Sequence, residues 1–161
     1  MTIRTYIGLG SNLGDSEQIL REAVAKLAGL GPVQVSRHYQ STPMGPQDQP
    51  NYLKSVVQLD TALKALALLE ELQQVEQVAG RIRLRRWGER TLDLDLLIYG
   101  QQQIQNERLT VPHIGILERD FVVIPLLDLD ADCSVGGQSL QNLDLVQHST
   151  LSVLADQTWA D

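Results

Sequence analysis

The run TLDLDLLIY at residues 91–99 constrains the fold more than any other stretch of the chain. Its branched and aromatic content marks a β-strand, in which successive side chains point to opposite faces. Leu92, Leu94 and Leu96 therefore share one face, while Asp93 and Asp95 share the other. At a separation of about 6 Å and an effective dielectric near ~20, two carboxylates repel by roughly 3 kcal/mol, about two pK units. Either one of them stays protonated, or a cation lies between them, or the face is a solvated sheet edge. Leu96, Leu97 and Ile98 break the alternation, which suggests burial on both faces beyond the acids and favours the cation. A hard divalent ion fits best, because Mg²⁺ takes oxygen ligands and commonly combines one or two carboxylates with substrate phosphates.

A concentrated cationic segment precedes this strand. Five of the ten arginines, Arg81, Arg83, Arg85, Arg86 and Arg90, fall within ten residues of one another. Guanidinium forks match phosphate oxygens, and phosphoryl transfer is catalysed mainly by positioning and charge neutralisation. Carboxylate pair and arginine cluster together point to a nucleotide polyphosphate; the alternative is a solvated charged loop. The chain as a whole carries a net charge of −7, which argues against nucleic acid or an anionic membrane as partner. Trp87, inside the arginine loop, could be core, a lid anchor or a surface for a purine. His113 could donate to phosphate or be structural. The single cysteine, Cys133, reads as a small buried hydrophobe.

The remaining pattern is that of one domain over residues 1–161, a length at which roughly 70% of the unfolded surface is buried on folding. Residues 2–9 are short and β-prone, with Gly8, Gly10 and Gly14 around a turn before Asp15, a helix N-cap. The helix buries Ile19, Leu20, Ala23, Val24 and Leu27 and closes at Gly29. A second strand starts at Val33, a third covers Tyr52 to Leu59, and Thr61 caps a helix over Ala62 to Ala79. The order strand, helix, strand, strand, helix, strand is the split βαβ pattern of ferredoxin-like folds. Beyond Gly100 the spacing predicts a short extended piece, a helix over GILERDFVVIPLLDL that makes Phe121 core, and a tight turn at SVGGQ. The amino terminus has too short an apolar stretch for a signal peptide, and no apolar run could span a bilayer, so the expectation is a cytoplasmic protein without membrane contact.

The run Arg86 to Leu97, RWGERTLDLDLL, resembles the signature of the 6-hydroxymethyl-7,8-dihydropterin pyrophosphokinases, which transfer pyrophosphate from ATP to a pterin. GSNLG at 10–14, GPQDQPNYL at 45–53, GRIR at 80–83 and ERLTVPH at 107–113 match in the same order. The resemblance implies an α+β fold: a ferredoxin-like βαββαβ core whose antiparallel sheet lies in a three-layer α/β/α sandwich. It implies two Mg²⁺ ions on Asp93 and Asp95, with Arg81 and Arg90 also catalytic. ATP would meet Gln73, Glu76, Arg83, Arg86, Trp87, Arg90, Thr110, His113 and Arg119. The pterin would meet Ser41, Thr42, Met44, Tyr52, Lys54 and Asp93, and be stacked between Tyr52 and Phe121, which moves Phe121 from the core to the site. The expected partners are ATP and the dihydropterin, acting on a monomer.

Three positions depart from the family pattern. Lys54 stands where an asparagine is usual, and an ammonium offers donors only. Ile114 replaces an aromatic residue beside His113. The segment between Gly80 and Trp87 is one residue shorter than in the well-known bacterial form. A non-catalytic binder of nucleotide or pterin on the same fold is the rival these departures raise. An RNA-binding module is the weaker rival, since the chain is acidic and lacks an aromatic-rich strand.

Overall fold

The computed structural model describes residues 1–42, 49–80 and 91–161. The first strand, β1 (Ile3–Ser11), leads to α1 (Ser16–Ala28), which Asp15 caps by accepting the Gln18 backbone N–H at 3.3 Å. That bond satisfies one of the amides left open at a helix start. Gly8 and Gly10 lie inside β1 rather than in a turn; of the three glycines it is Gly14, at φ 82°, that turns the chain. The second strand is divided into β2 (Val33–Val35) and β3 (His38–Ser41), because Ser36 bonds to the facing strand through both its N–H and its hydroxyl. That facing strand is β4 (Tyr52–Thr61).

The second helix, α2 (Ala65–Val78), starts later than its sequence predicts and has no side-chain cap. Thr61 remains in β4, and its hydroxyl accepts the Leu63 N–H at 3.1 Å instead of opening the helix. β5 (Asp93–Tyr99) follows, then a small hairpin of β6 (Ile104–Gln105) and β7 (Thr110–Val111). The predicted helix from Gly115 is a short 3₁₀ turn at Ile116–Glu118 and then α3 (Asp120–Leu129). β8 (Ser134–Val135) and β9 (Gln138–Ser139) form the expected tight hairpin, with Gly136 and Gly137 at φ 59° and 80° as a two-residue turn of this hand requires. A short α4 (Asp144–Gln147) and β10 (Ser152–Ala155) complete the order.

The main sheet runs β10-β3-β4-β1-β5, with β2 also paired to β4, and its pairs are antiparallel. α1 and α2 cover one face, where Leu20, Leu27, Leu68 and Leu72 pack on Ile7, Leu9, Val57 and Leu94. α3 covers the other, where Val122, Val123 and Leu126 pack on Tyr6, Val56 and Leu97. The arrangement is the ferredoxin-like sandwich that the element order predicts. A bulge explains the broken alternation in β5: Ile7 pairs with Leu96 and Tyr6 with Ile98, so Leu97 is the extra residue. Leu96 then enters the first core and Leu97 the second.

The sequence did not foretell the structure beyond the hairpin of β8 and β9. β10 extends the sheet beside β3, and the buried Trp159 joins the first core while its Nε1 donates to the Ser36 carbonyl at 2.8 Å. Cys133 lies in the second core as expected, and burial pushes its thiol up to about 11. Among the described residues, no helix is long and apolar enough to cross a membrane.

Candidate active site

One row of the sheet assembles the site. Tyr39 on β3 pairs with Lys54 on β4, Lys54 with Gly10 on β1, and Gly10 with Asp93 on β5. One step along, Val56 pairs with Gly8 and Gly8 with Asp95. Period two puts Lys54, Gly8, Gly10, Asp93 and Asp95 on the α3 face of the sheet. Two adjacent positions of β1 therefore carry no side chain, and they form a smooth floor between β4 and the two carboxylates. The glycines of this strand make that floor rather than a turn, a role their spacing does not reveal.

Aromatic rings stand over the floor. Tyr52 is buried at the start of β4, and Phe121 is half-buried in the first turn of α3. The Lys54 ammonium lies 4.4 Å from the centroid of the Tyr52 ring and 4.5 Å from that of Phe121. Both rings thus address one cation, and Arg119 approaches Phe121 from elsewhere, at 5.9 Å. Burial pushes the Lys54 ammonium below the usual lysine range, while Asp93 and Asp95 pull it the other way. Ser41, the partner of Tyr52 in the sheet, keeps a buried hydroxyl with no hydrogen-bond partner among the described residues. Thr42 next to it is exposed.

β5 lies at the sheet's edge, as the solvated-face alternative requires, and Asp95 is exposed while Asp93 is half-buried. Their face is nevertheless the one that carries Lys54 and Phe121, with which they share a cavity. Glu76, buried on α2, accepts the Leu94 backbone N–H at 2.9 Å, which fixes the strand between the two acids. His113 is held to the bulge, its N–H donating to the Leu97 carbonyl at 2.8 Å. Its Nδ1 accepts the Gly115 N–H at 3.0 Å, so the neutral ring carries its proton on Nε2. Burial lowers the His113 pKa, Asp95 opposes this, and Arg119 adds to it.

The outer residues are less gathered. Gln73 and Thr110 are exposed, Ile114 is strongly so, and Arg119 is half-buried and crosses Gly115. Met44, Arg81, Arg83, Arg85, Arg86, Trp87 and Arg90 lie outside the described residues. Asp93 and Asp95 are the candidate metal ligands; among the described residues, no group of three or more His, Cys, Asp or Glu could hold an ion. Two oxygen donors suit an ion that takes its other ligands from phosphate and water.

Comparison with known proteins gives a consistent set of relatives. The pattern of the family described as 7,8-dihydro-6-hydroxymethylpterin-pyrophosphokinase (HPPK) matches residues 6–131. A 2-amino-4-hydroxy-6-hydroxymethyldihydropteridine pyrophosphokinase of Haemophilus influenzae is 50% identical over 133 residues, covering 81% of this chain and 83% of that protein. A protein of the same name from Pseudomonas aeruginosa is 44% identical over 135 residues, covering 82% and 83%. Among solved structures, wild-type HPPK-DHPS of Plasmodium falciparum with pterin and p-hydroxybenzoate is similar in fold, with a TM-score of 0.69 at 13% identity. The similarity covers 96% of this chain and 46% of that one, so this chain spans less than half of the longer protein.

Proposed function

The chain belongs to the 7,8-dihydro-6-hydroxymethylpterin-pyrophosphokinase family, and on that premise we propose that it transfers the pyrophosphoryl group of ATP to the hydroxymethyl oxygen of 6-hydroxymethyl-7,8-dihydropterin, a step of folate biosynthesis. The observation that carries this reading is the meeting of Tyr52 and Phe121 with Asp93 and Asp95 across the floor of Gly8 and Gly10. A flat heterocycle stacks between the rings, and its substituent then points toward the acids. The buried Ser41 hydroxyl, joined by Thr42 and Met44, offers hydrogen bonds to the ring edge.

The hydroxymethyl oxygen attacks the β-phosphorus in line. An O–P bond forms as the bond from that phosphorus to the α-phosphate's bridging oxygen breaks; AMP leaves with the electron pair and the hydroxyl proton is released to solvent. Asp93 and Asp95 would hold magnesium, two ions in this reading, and the metal would supply charge neutralisation for the polyphosphate. His113 donates from Nε2 to a phosphate oxygen, because Nδ1 is already taken. Arg81 and Arg90 act with the acids in catalysis, while Arg83, Arg86, Arg119, Trp87, Gln73 and Thr110 hold ATP. Glu76 serves that site through the backbone of β5. Residues 1–161 act as one domain, in the cytoplasm and as a monomer, and the docking of β10 and Trp159 on the sheet supports the single domain.

The test is incubation with Mg²⁺, ATP and the dihydropterin, followed by identification of the nucleotide product. AMP that depends on the pterin is expected. ADP would mean phosphoryl transfer, and neither product would favour the non-catalytic binder, the reading that Lys54 between the two rings makes worth testing.

A further inference from the structure

We infer that Lys54 is an internal occupant of the aromatic slot, a side chain that must swing out before a pterin can enter. The inference rests on the reading of Tyr52 and Phe121 as the pterin site. The lysine stem lies flat along the floor: a Cβ on Gly10 would come within 2.9 Å of Nζ, 3.1 Å of Cδ and 3.2 Å of Cε. Lys54 and Asp93 lie two strands apart on one row, roughly 10 Å at sheet spacing, with Gly10 between them. The absence of a side chain at Gly10 is therefore what lets the stem cross toward the acids.

Both rings hold the ammonium, at 4.4 Å and 4.5 Å from their centroids, within the range of cation–π attraction. The cavity beside the lysine stem, lined by Gly10, Lys54, Asp93, Asp95 and Phe121, is about 20 Å³. That is room for about one water molecule and far too little for a bicyclic ring. The ammonium itself thus occupies the place between the two rings in which a substrate would stack. A substrate ring must break both cation–π contacts, so the occupant lowers affinity for the pterin while leaving the slot itself intact.

The experiment titrates wild type and variants with 6-hydroxymethyl-7,8-dihydropterin alone, without nucleotide or divalent ion. Lys54→Ala should bind about tenfold tighter, equivalent to about 1.4 kcal/mol. Lys54→Arg, which keeps a cation between the rings, should show no gain. Equal or weaker binding by Lys54→Ala, with an unchanged folded spectrum, overturns the inference. A second measurement needs no variant: the Lys54 ε-methylene protons should be shifted upfield by the two rings in the free protein and return to ordinary values on saturation with pterin. Ordinary values in the free protein would also overturn it. Pterin-dependent AMP formation with no effect of Lys54 on affinity removes this inference alone. A ring-shifted lysine in a protein that makes no AMP removes the proposed activity instead.

Discussion

Glu76→Ala should destabilise the protein through the strand that carries the acids. β5 ends the sheet, so some of its amides point away from β1, and an open edge amide is a liability. The Leu94 amide is one of these, and the buried Glu76 carboxylate accepts it at 2.9 Å. A hydrogen bond to a charged group contributes roughly 1.5–3 kcal/mol, and the amide left behind would be unsatisfied beside a buried leucine. A loss of about 2 kcal/mol follows, which in a chain of this size lowers Tm by about 4–8 °C. Glu76→Gln keeps an acceptor of similar shape and should lose about half as much. Thermal unfolding followed by circular dichroism measures both, and hydrogen exchange at the Leu94 amide measures the site directly, where protection should fall in the Ala variant first. A Tm within about 1 °C of wild type, with Leu94 still protected, would refute the account of Glu76 as the clamp on β5.

Other perturbations address the chemistry and the rest of the fold. Asp93→Ala or Asp95→Ala should reduce AMP formation by about a thousandfold or more in a folded protein; near-normal turnover would remove both from catalysis. Phe121→Ala should weaken pterin binding by up to about tenfold and ATP binding much less, as read by separate titrations. Burial holds the His38 pKa below its ordinary value. Protons therefore bind the unfolded chain more readily, and stability is full above about pH 6.5 and falls as pH drops from there toward the folded pKa. His38→Gln should flatten that acid-side decline in Tm, and an identical decline would exclude His38 as its source. Trp159→Ala should cost about 3 kcal/mol or more, seen in denaturant unfolding, if residues beyond β9 belong to the same cooperative unit.

What the chain disclosed before folding was local. Period-two alternation is a property of neighbouring residues, so the common face of Asp93 and Asp95 could be read from residues 91–99, while the break at Leu96 and Leu97 told of burial on both faces and not of the bulge that causes it. The Asp15 cap and the Gly136–Gly137 turn were legible for the same reason, because their partners lie within a few residues. Thr61 shows the limit of that reasoning. Its sequence context suits a helix cap, but pairing with Ile3 keeps it in β4, and long-range sheet bonding overrides the local preference.

Tertiary structure decided everything that needs two distant elements to meet. Phe121 has the sequence of a core residue, and only the docking of α3 over the sheet turns its ring toward Lys54. Gly8 and Gly10 have the spacing of a turn, and only the register of β1 between β4 and β5 makes them a floor. Glu76 enters the sequence reading only as an ATP residue implied by resemblance, and only the docking of α2 against β5 shows it holding the Leu94 amide. The sequence by itself determined which side chains share a strand face and what charge they carry, because backbone geometry repeats every two residues. Which groups face them across space follows from strand register and helix docking, and these are set by burial of both cores together, a sum over the whole chain that no short stretch contains.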